Sequence, residues 1–90
     1  MNGKLQPQAK EIEEAILGAI LLERDAYDEV SEMITADCFY VNAHQSIYNA
    51  MKSLSAKHQP IDLHTVENEL KIAGELEIAG GSYALIKLPY

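Results

Sequence analysis

The chain contains no tryptophan, one phenylalanine and one cysteine among 90 residues. With so few large aromatics, any core is mostly aliphatic, and 48% hydrophobic residues are enough for one modest domain. The lone thiol, Cys38, has no partner for an internal disulfide, which fits a reducing compartment and a cytoplasmic protein. Long apolar runs are also missing. The longest, Ala15 to Leu22, is eight residues, against the about 20 that a bilayer-spanning helix needs. The opening "MNGKLQPQAKEIEE" has no basic region followed by an apolar stretch, so no secretory leader is read there. Bases are scarce: 7 against 14 acids, for a net charge of −7. From Glu11 to Asp37 nine acids meet one base, Arg24. Such a surface repels a phosphate backbone, which disfavours direct nucleic-acid binding. It suits a basic protein partner, or else is a solvated face of the ordinary kind.

No segment of useful length alternates with period two, so strands are not expected; the apolar spacing that is present is helical. Met1 to Gln6 carries no pattern and reads as a disordered lead-in. Pro7 stands where a helix can begin, and a first helix is expected from Gln8 to Leu22, burying Ile12, Ala15, Ile16, Ala19 and Ile20. Gly18 inside it costs about 1 kcal/mol relative to alanine, offset by close approach of another helix. A second helix follows from Asp25 to Ile34 on the stripe Ala26, Val30 and Ile34. A short helical turn falls at Ala36 to Phe39, with Phe39 and Tyr40 plugging the core. Asn42 is a candidate cap for a third helix, Ala43 to Lys57, whose buried face is Ala43, Ile47, Ala50, Met51 and Leu54. Pro60 forbids its continuation. Asp62 caps a fourth helix, Leu63 to Ala73, and Gly74 stops it in the left-handed conformation. After Leu76 and Ile78 tuck inward, Gly80 and Gly81 turn the chain into a last helix, Ser82 to Leu88. The expected fold is all-α: a compact orthogonal bundle of about five short helices over residues 7–88, with 89–90 as its end.

The glycine cluster in "GELEIAGGS" invites a phosphate-loop reading, and the residues refuse it. That loop needs glycine, four residues, glycine, lysine, then serine or threonine after a buried strand. Here five residues separate Gly74 from Gly80, Gly81 stands at the lysine position, Glu75 and Glu77 add negative charge, and a helix precedes. His44, His58 and His64 lack the cysteines or carboxylates of a zinc set, so no metal site is expected. Cys38 has no basic neighbour to lower its pKa and Asp37 beside it, which marks it as an inert, buried or half-buried thiol rather than a nucleophile. The clustered carboxylates read as exposed. No catalytic residues and no cofactor-binding residues are assigned.

Four stretches in series carry a resemblance: "PQAKEIEEAILGAILLERDAYDEVSEMI", "DCFYVNAHQSIYNAM", "QPIDLHTVENEL" and "GELEIAGG". Together they resemble the N-terminal domain of bacterial replicative DNA helicases, the DnaB family, over Pro7 to Leu88. The resemblance implies a domain of a ring-shaped hexamer that unwinds the replication fork. In that family ATP and magnesium belong to a separate motor domain, absent from this sequence. It further implies a collar of helical hairpins, whose pairing segment would lie beyond Tyr90, and a docking surface for primase, with a helicase loader as a second candidate partner. Without that hairpin the chain is expected to be largely monomeric and to hydrolyse nothing. The family often has an aromatic at the third position after the double glycine; here that position is Ala84, and Tyr83 precedes it. Tyr83 is the candidate partner contact, as a shifted equivalent of that aromatic, or else a core residue. The alternative function is a stand-alone acidic helical module that holds a basic protein.

Overall fold

The computed structural model describes residues 7–88; the expected lead-in at 1–6 and the end at 89–90 lie outside the described residues. The elements in order are α1 (Pro7–Leu22), α2 (Ala26–Ser31), a 3₁₀ turn (Ala36–Cys38), α3 (Asn42–Ala56), α4 (Leu63–Ala73) and α5 (Gly81–Lys87). No strand occurs among the described residues. The fold is all-α, and α3 is its hub: it packs against α4, α1 and the 3₁₀ turn, while α2 leans on α1 and α5 on α4.

The hub role follows from the pattern of α3. Ile47, Ala50, Met51 and Leu54 recur at three- and four-residue spacing and are buried, and Tyr48 beside them is only 2% exposed. They meet Leu17 and Ile20 of α1, Val66 and Leu70 of α4, and Leu85 of α5 in one core. Each such aliphatic side chain contributes about 1.5–3 kcal/mol on burial. The few aromatics are concentrated at one end. Tyr48 lies 5.1 Å from the Phe39 ring and 5.7 Å from that of Tyr27, centroid to centroid, and its hydroxyl donates to the Ile34 carbonyl at 3.1 Å.

Several expected details change. On α1 the buried face is Glu13, Leu17, Ile20 and Leu21, whereas Ile12 is 57% exposed and Ala15 and Ala19 are also outside. The run from Ala15 to Leu22 is so uniformly apolar that its period cannot fix its rotation. The hydrogen bonds of Glu13 fix it instead, as described below. The second helix ends at Ser31, not Ile34. The Ser31 hydroxyl donates to the Asp28 carbonyl at 3.0 Å, and the Ile34 carbonyl is held by Tyr48. Phe39 is in the core but Tyr40 is 73% exposed, because the backbone at Phe39 is extended and successive side chains then point to opposite sides. Between α4 and α5, Leu76 and Ala79 pack inward and Ile78 is 56% exposed. The segment winds helically there, with Ala79 N–H donating to the Glu75 carbonyl, so residues three apart share a face.

Candidate docking surface

Asp62 accepts a hydrogen bond from Thr65 N–H at 2.9 Å, and Thr65 Oγ1 accepts one from Asp62 N–H at 2.9 Å, a reciprocal capping box that starts α4. Gly74 ends it at φ 72°. There Glu75 N–H reaches the Leu70 carbonyl and Gly74 N–H the Lys71 carbonyl, the paired bonds of a Schellman stop. Gly80 and Gly81 follow at φ 102° and 85°. The N–H groups of Ala79, Gly80 and Gly81 donate to the carbonyls of Glu75, Glu77 and Leu76, so the turn's amides are already used by its own chain. This is a mechanical turn and offers no cradle for an anion. A Cβ on Gly80 would stand 2.8 Å from Ala84 Cβ, four residues on, so a side chain there would collide with the first turn of α5 itself.

The packing of α5 fixes Tyr83. Leu85 anchors α5 in the core at 0% exposure, while Tyr83 is 71% and Ile86 48% exposed, three residues apart on the outer face. Lys87 Nζ lies 5.1 Å from the centroid of the Tyr83 ring. Tyr83 is therefore a surface aromatic presented by a rigidly held helix, not part of the core. Ser82 and Glu67 are hydrogen-bonded side chain to side chain, tying α5 to α4.

The third helix is begun by a residue that sequence spacing did not single out. Asn42 is the first residue of α3 rather than its cap; Val41 holds the cap position, and no side chain of its own caps the helix. Glu13, from α1, takes that role. Its carboxylate accepts from Tyr40 N–H at 2.7 Å and from Val41 N–H at 3.3 Å, and Nδ1 of His44 lies 2.7 Å away. Burial pushes the Glu13 carboxyl up, but the Tyr40 N–H, the His44 ring and the Val41 N–H together hold it below its ordinary value. It is thus an ionised acceptor to which Nδ1–H donates, at a helix end that favours negative charge. The expectation that the clustered carboxylates are exposed fails at Glu13, and outside that cluster Glu69 is buried too. The latter lies between α3 and α4, accepts from Ser53 Oγ at 2.6 Å and Lys57 Nζ at 2.8 Å, and is lowered first by Lys57, then by Ser53. A signal for Glu13 existed: it shares a helix face with Leu17 and Ile20, an acid on an apolar stripe.

The remaining sequence candidates scatter. Gly18 is buried within α1, beside a shallow groove bordered by Ala15, Ala19, Leu22 and Leu88. His58 and His64 are exposed, and Cys38 is exposed rather than buried or half-buried. Cys38 lies in the tight 3₁₀ turn, and it is the next residue, Phe39, that turns into the core. Among the described residues no group of three His, Cys, Asp or Glu side chains could hold a metal ion. None of their helices is long and apolar enough to cross a membrane. What the surface offers is apolar side chains on fixed helices, set among acids.

Comparison with known proteins gives this arrangement a context. The family model of the DnaB-like helicase N terminal domain matches residues 5–89. The replicative DNA helicase DnaB of Rhodothermus marinus is 42% identical over 86 residues, covering 96% of this chain and 9% of that protein. The replicative DNA helicase DnaC of Bacillus subtilis is 46% identical over 81 residues, covering 90% and 18%. The crystal structure of the N-terminal domain of DnaB helicase from Mycobacterium tuberculosis matches with a TM-score of 0.87 at 36% identity, over 94% of this chain and 59% of that one. The chain thus spans less than a fifth of either of these curated relatives.

Proposed function

The chain belongs to the DnaB-like helicase N-terminal domain family, and we propose that it is the docking and assembly domain of a hexameric replicative helicase. In this reading it contributes to the collar of the ring and receives primase during cytoplasmic DNA replication, with a helicase loader as a second candidate partner. ATP and magnesium are used by a motor domain elsewhere in the full-length protein, and this domain itself catalyses nothing. The observation that carries the reading is the family match across residues 5–89, seconded by the TM-score of 0.87 to a domain of the same kind. The chemistry of the surface supports it: Tyr83 and Ile86 stand exposed on a helix whose Leu85 is locked in the core, a rigid apolar contact suited to another protein.

Calorimetric titration of the chain with purified primase, and separately with purified helicase loader, tests the proposal. Saturable binding to primase, weakened by Tyr83→Ala, is expected. Binding to neither, together with tight binding to an unrelated basic protein, would instead favour an acidic module acting alone.

A further inference from the structure

Residues 34–41 cross from α2 to α3 with one 3₁₀ turn among them. Their backbone hydrogen bonds are local: Ile34 N–H reaches Val30, Cys38 N–H reaches Thr35, Phe39 N–H reaches Ala36, and the Val41 carbonyl accepts from His44 and Gln45 in the first turn of α3. Among the described residues, no backbone–backbone bond joins this segment to α1, α4 or α5, or to α3 beyond its first turn. Side chains hold it instead. The Tyr48 hydroxyl donates to the Ile34 carbonyl at 3.1 Å, and Gln45 Nε2 donates to the Phe39 carbonyl at 2.6 Å. The Glu13 carboxylate accepts from Tyr40 N–H at 2.7 Å and Val41 N–H at 3.3 Å. Among these ties Phe39 plugs the core at 2% exposure, its ring 5.1 Å from that of Tyr48.

The Phe39 carbonyl and the Tyr40 amide belong to one planar peptide group. Gln45 of α3 grips one end of it and Glu13 of α1 the other, so the Phe39 ring leaves the core only when both ties part. The bundle has contacts of its own that do not pass through this peptide. Glu13 and His44 join α1 to α3 directly at 2.7 Å. Leu17 and Ile20 of α1 share a core with Ile47, Met51 and Leu54 of α3. Lifting the segment removes neither set. It breaks three side-chain ties and uncovers Phe39, with the partly buried Ile34 and Ala36, while the helix ladders, in which each bond supports the next, stay closed. We propose that residues 34–41 form a strap that opens as one unit while the helical bundle stays folded, withdrawing Phe39 from Tyr48 and uncovering the aromatic end of the core. Glu13, Gln45 and Tyr48 are its latch.

Native-state amide hydrogen exchange, followed by NMR at a series of low urea concentrations, tests this. After correction for intrinsic rates, the amides of Tyr40 and Val41 are expected to exchange at least about tenfold faster than those of Met51 and Leu54, and with little dependence on urea, because a partial opening exposes little surface. Tyr48→Phe keeps the ring and removes only the tie at Ile34. It should nevertheless speed exchange at Tyr40 and Val41 about two- to tenfold, the worth of one hydrogen bond. Gln45→Ala, at a half-buried position, should do the same. Ser82→Ala unties α5 from α4. It weakens the bundle equally with the strap open or shut, so it should speed Met51 and Leu54 and leave Tyr40 and Val41 unchanged. The proposal is overturned if Tyr40 and Val41 share the rate and urea slope of Met51 and Leu54, or speed up with Ser82→Ala, because the strap then parts only with the whole fold. It is equally overturned if Tyr40 is indifferent to Tyr48→Phe, because the ties then fray one by one.

Discussion

The Glu13 carboxylate and Nδ1 of His44 stand 2.7 Å apart across 31 positions of sequence, at 6% and 4% exposure. Because the same carboxylate holds Tyr40 and Val41 N–H, α1 caps α3 from outside, and the helix start depends on a long-range contact. Glu13→Ala leaves two amides and a ring nitrogen without their acceptor and should cost about 3 kcal/mol in urea denaturation. His44→Leu leaves Glu13 its two backbone partners and should cost less, about 1–2 kcal/mol. The two losses should be non-additive in a double-mutant cycle, since both remove the same contact. A loss below about 0.5 kcal/mol for Glu13→Ala, the size of an ordinary surface change, would mean that the carboxylate does not cap α3.

The same carboxylate sets an acid limit. Its folded-state pKa lies below the ordinary value of 4.5, so the folded protein binds its proton less readily than the unfolded chain. The stabilisation is then fully present above about pH 4.5 and is lost as pH falls through the lowered folded value. Glu69, lowered by Lys57 and Ser53, acts in the same direction. Stability measured by urea titration should therefore be flat near neutrality and fall steeply on the acid side of this value. Glu13→Gln, which has no charge to lose, should be less stable at neutral pH and show a shallower fall. A variant whose acid profile parallels that of the parent would remove Glu13 as the source.

Two helix stops with the same hydrogen bonds have different residues at the left-handed position. At the end of α4 it is Gly74, φ 72°; at the end of α3 it is His58, φ 58°, where Gln59 N–H reaches Leu54 and His58 N–H reaches Ser55. A side chain in this conformation costs about 1–2 kcal/mol. His58→Gly should therefore stabilise by about 0.5–1 kcal/mol, and Gly74→Ala, with nothing within 4 Å of its new Cβ, should destabilise by about 1 kcal/mol. Gly80→Ala adds a contact of 2.8 Å with Ala84 Cβ to the same backbone strain and should cost more, about 2–3 kcal/mol. Thermal melts of the three variants give the order directly; equal effects at Gly74 and Gly80 would mean that the Ala84 contact adds nothing to the backbone strain.

These comparisons show what local chemistry can and cannot specify. Asp62, Thr65 and Gly74 act within one turn of their own positions, so the limits of α4, Leu63–Ala73, are readable from sequence spacing alone. Most of the buried face of α3 is legible too, because its apolar residues are interrupted by polar ones that fix the phase, although Ala43 is only half-buried and His44 and Ser46 are buried instead. The rotation of α1 is not, since Ala15 to Leu22 is apolar on every side and the phase is set by Glu13 reaching residues 27 and more positions away. Asn42 misled for the same reason: a capping side chain was sought beside the helix, and the cap comes from another element. Pro60 guards the exit of α3, yet the stop itself is at His58, a residue that carries no stop signal in its identity. Tyr83 is reached only through the family resemblance, and the exposure of Ile12 and Tyr40 arises only once α1 is rotated and the chain at Phe39 is extended.

The double glycine supports a last expectation, that this chain neither binds nor hydrolyses nucleoside triphosphate. Phosphate loops work because successive backbone N–H groups point, unpaired, at the anion. Here the N–H groups of Ala79, Gly80 and Gly81 donate at 3.0, 3.0 and 2.9 Å to carbonyls of the preceding turn, and opening them would forfeit three intramolecular bonds. Glu75 and Glu77 on that turn would meet the phosphates with like charge. Amide chemical shifts of residues 74–84 should therefore stay fixed when ATP and magnesium are added to millimolar excess, and phosphate release should equal the buffer blank. If nucleotide is bound by a separate motor domain, as proposed, a full-length protein carrying Gly80→Ala should keep the nucleotide affinity of its parent. Shifts that move saturably at Gly80 and Gly81, or turnover that copurifies with this chain through successive columns, would place nucleotide chemistry in the turn after all.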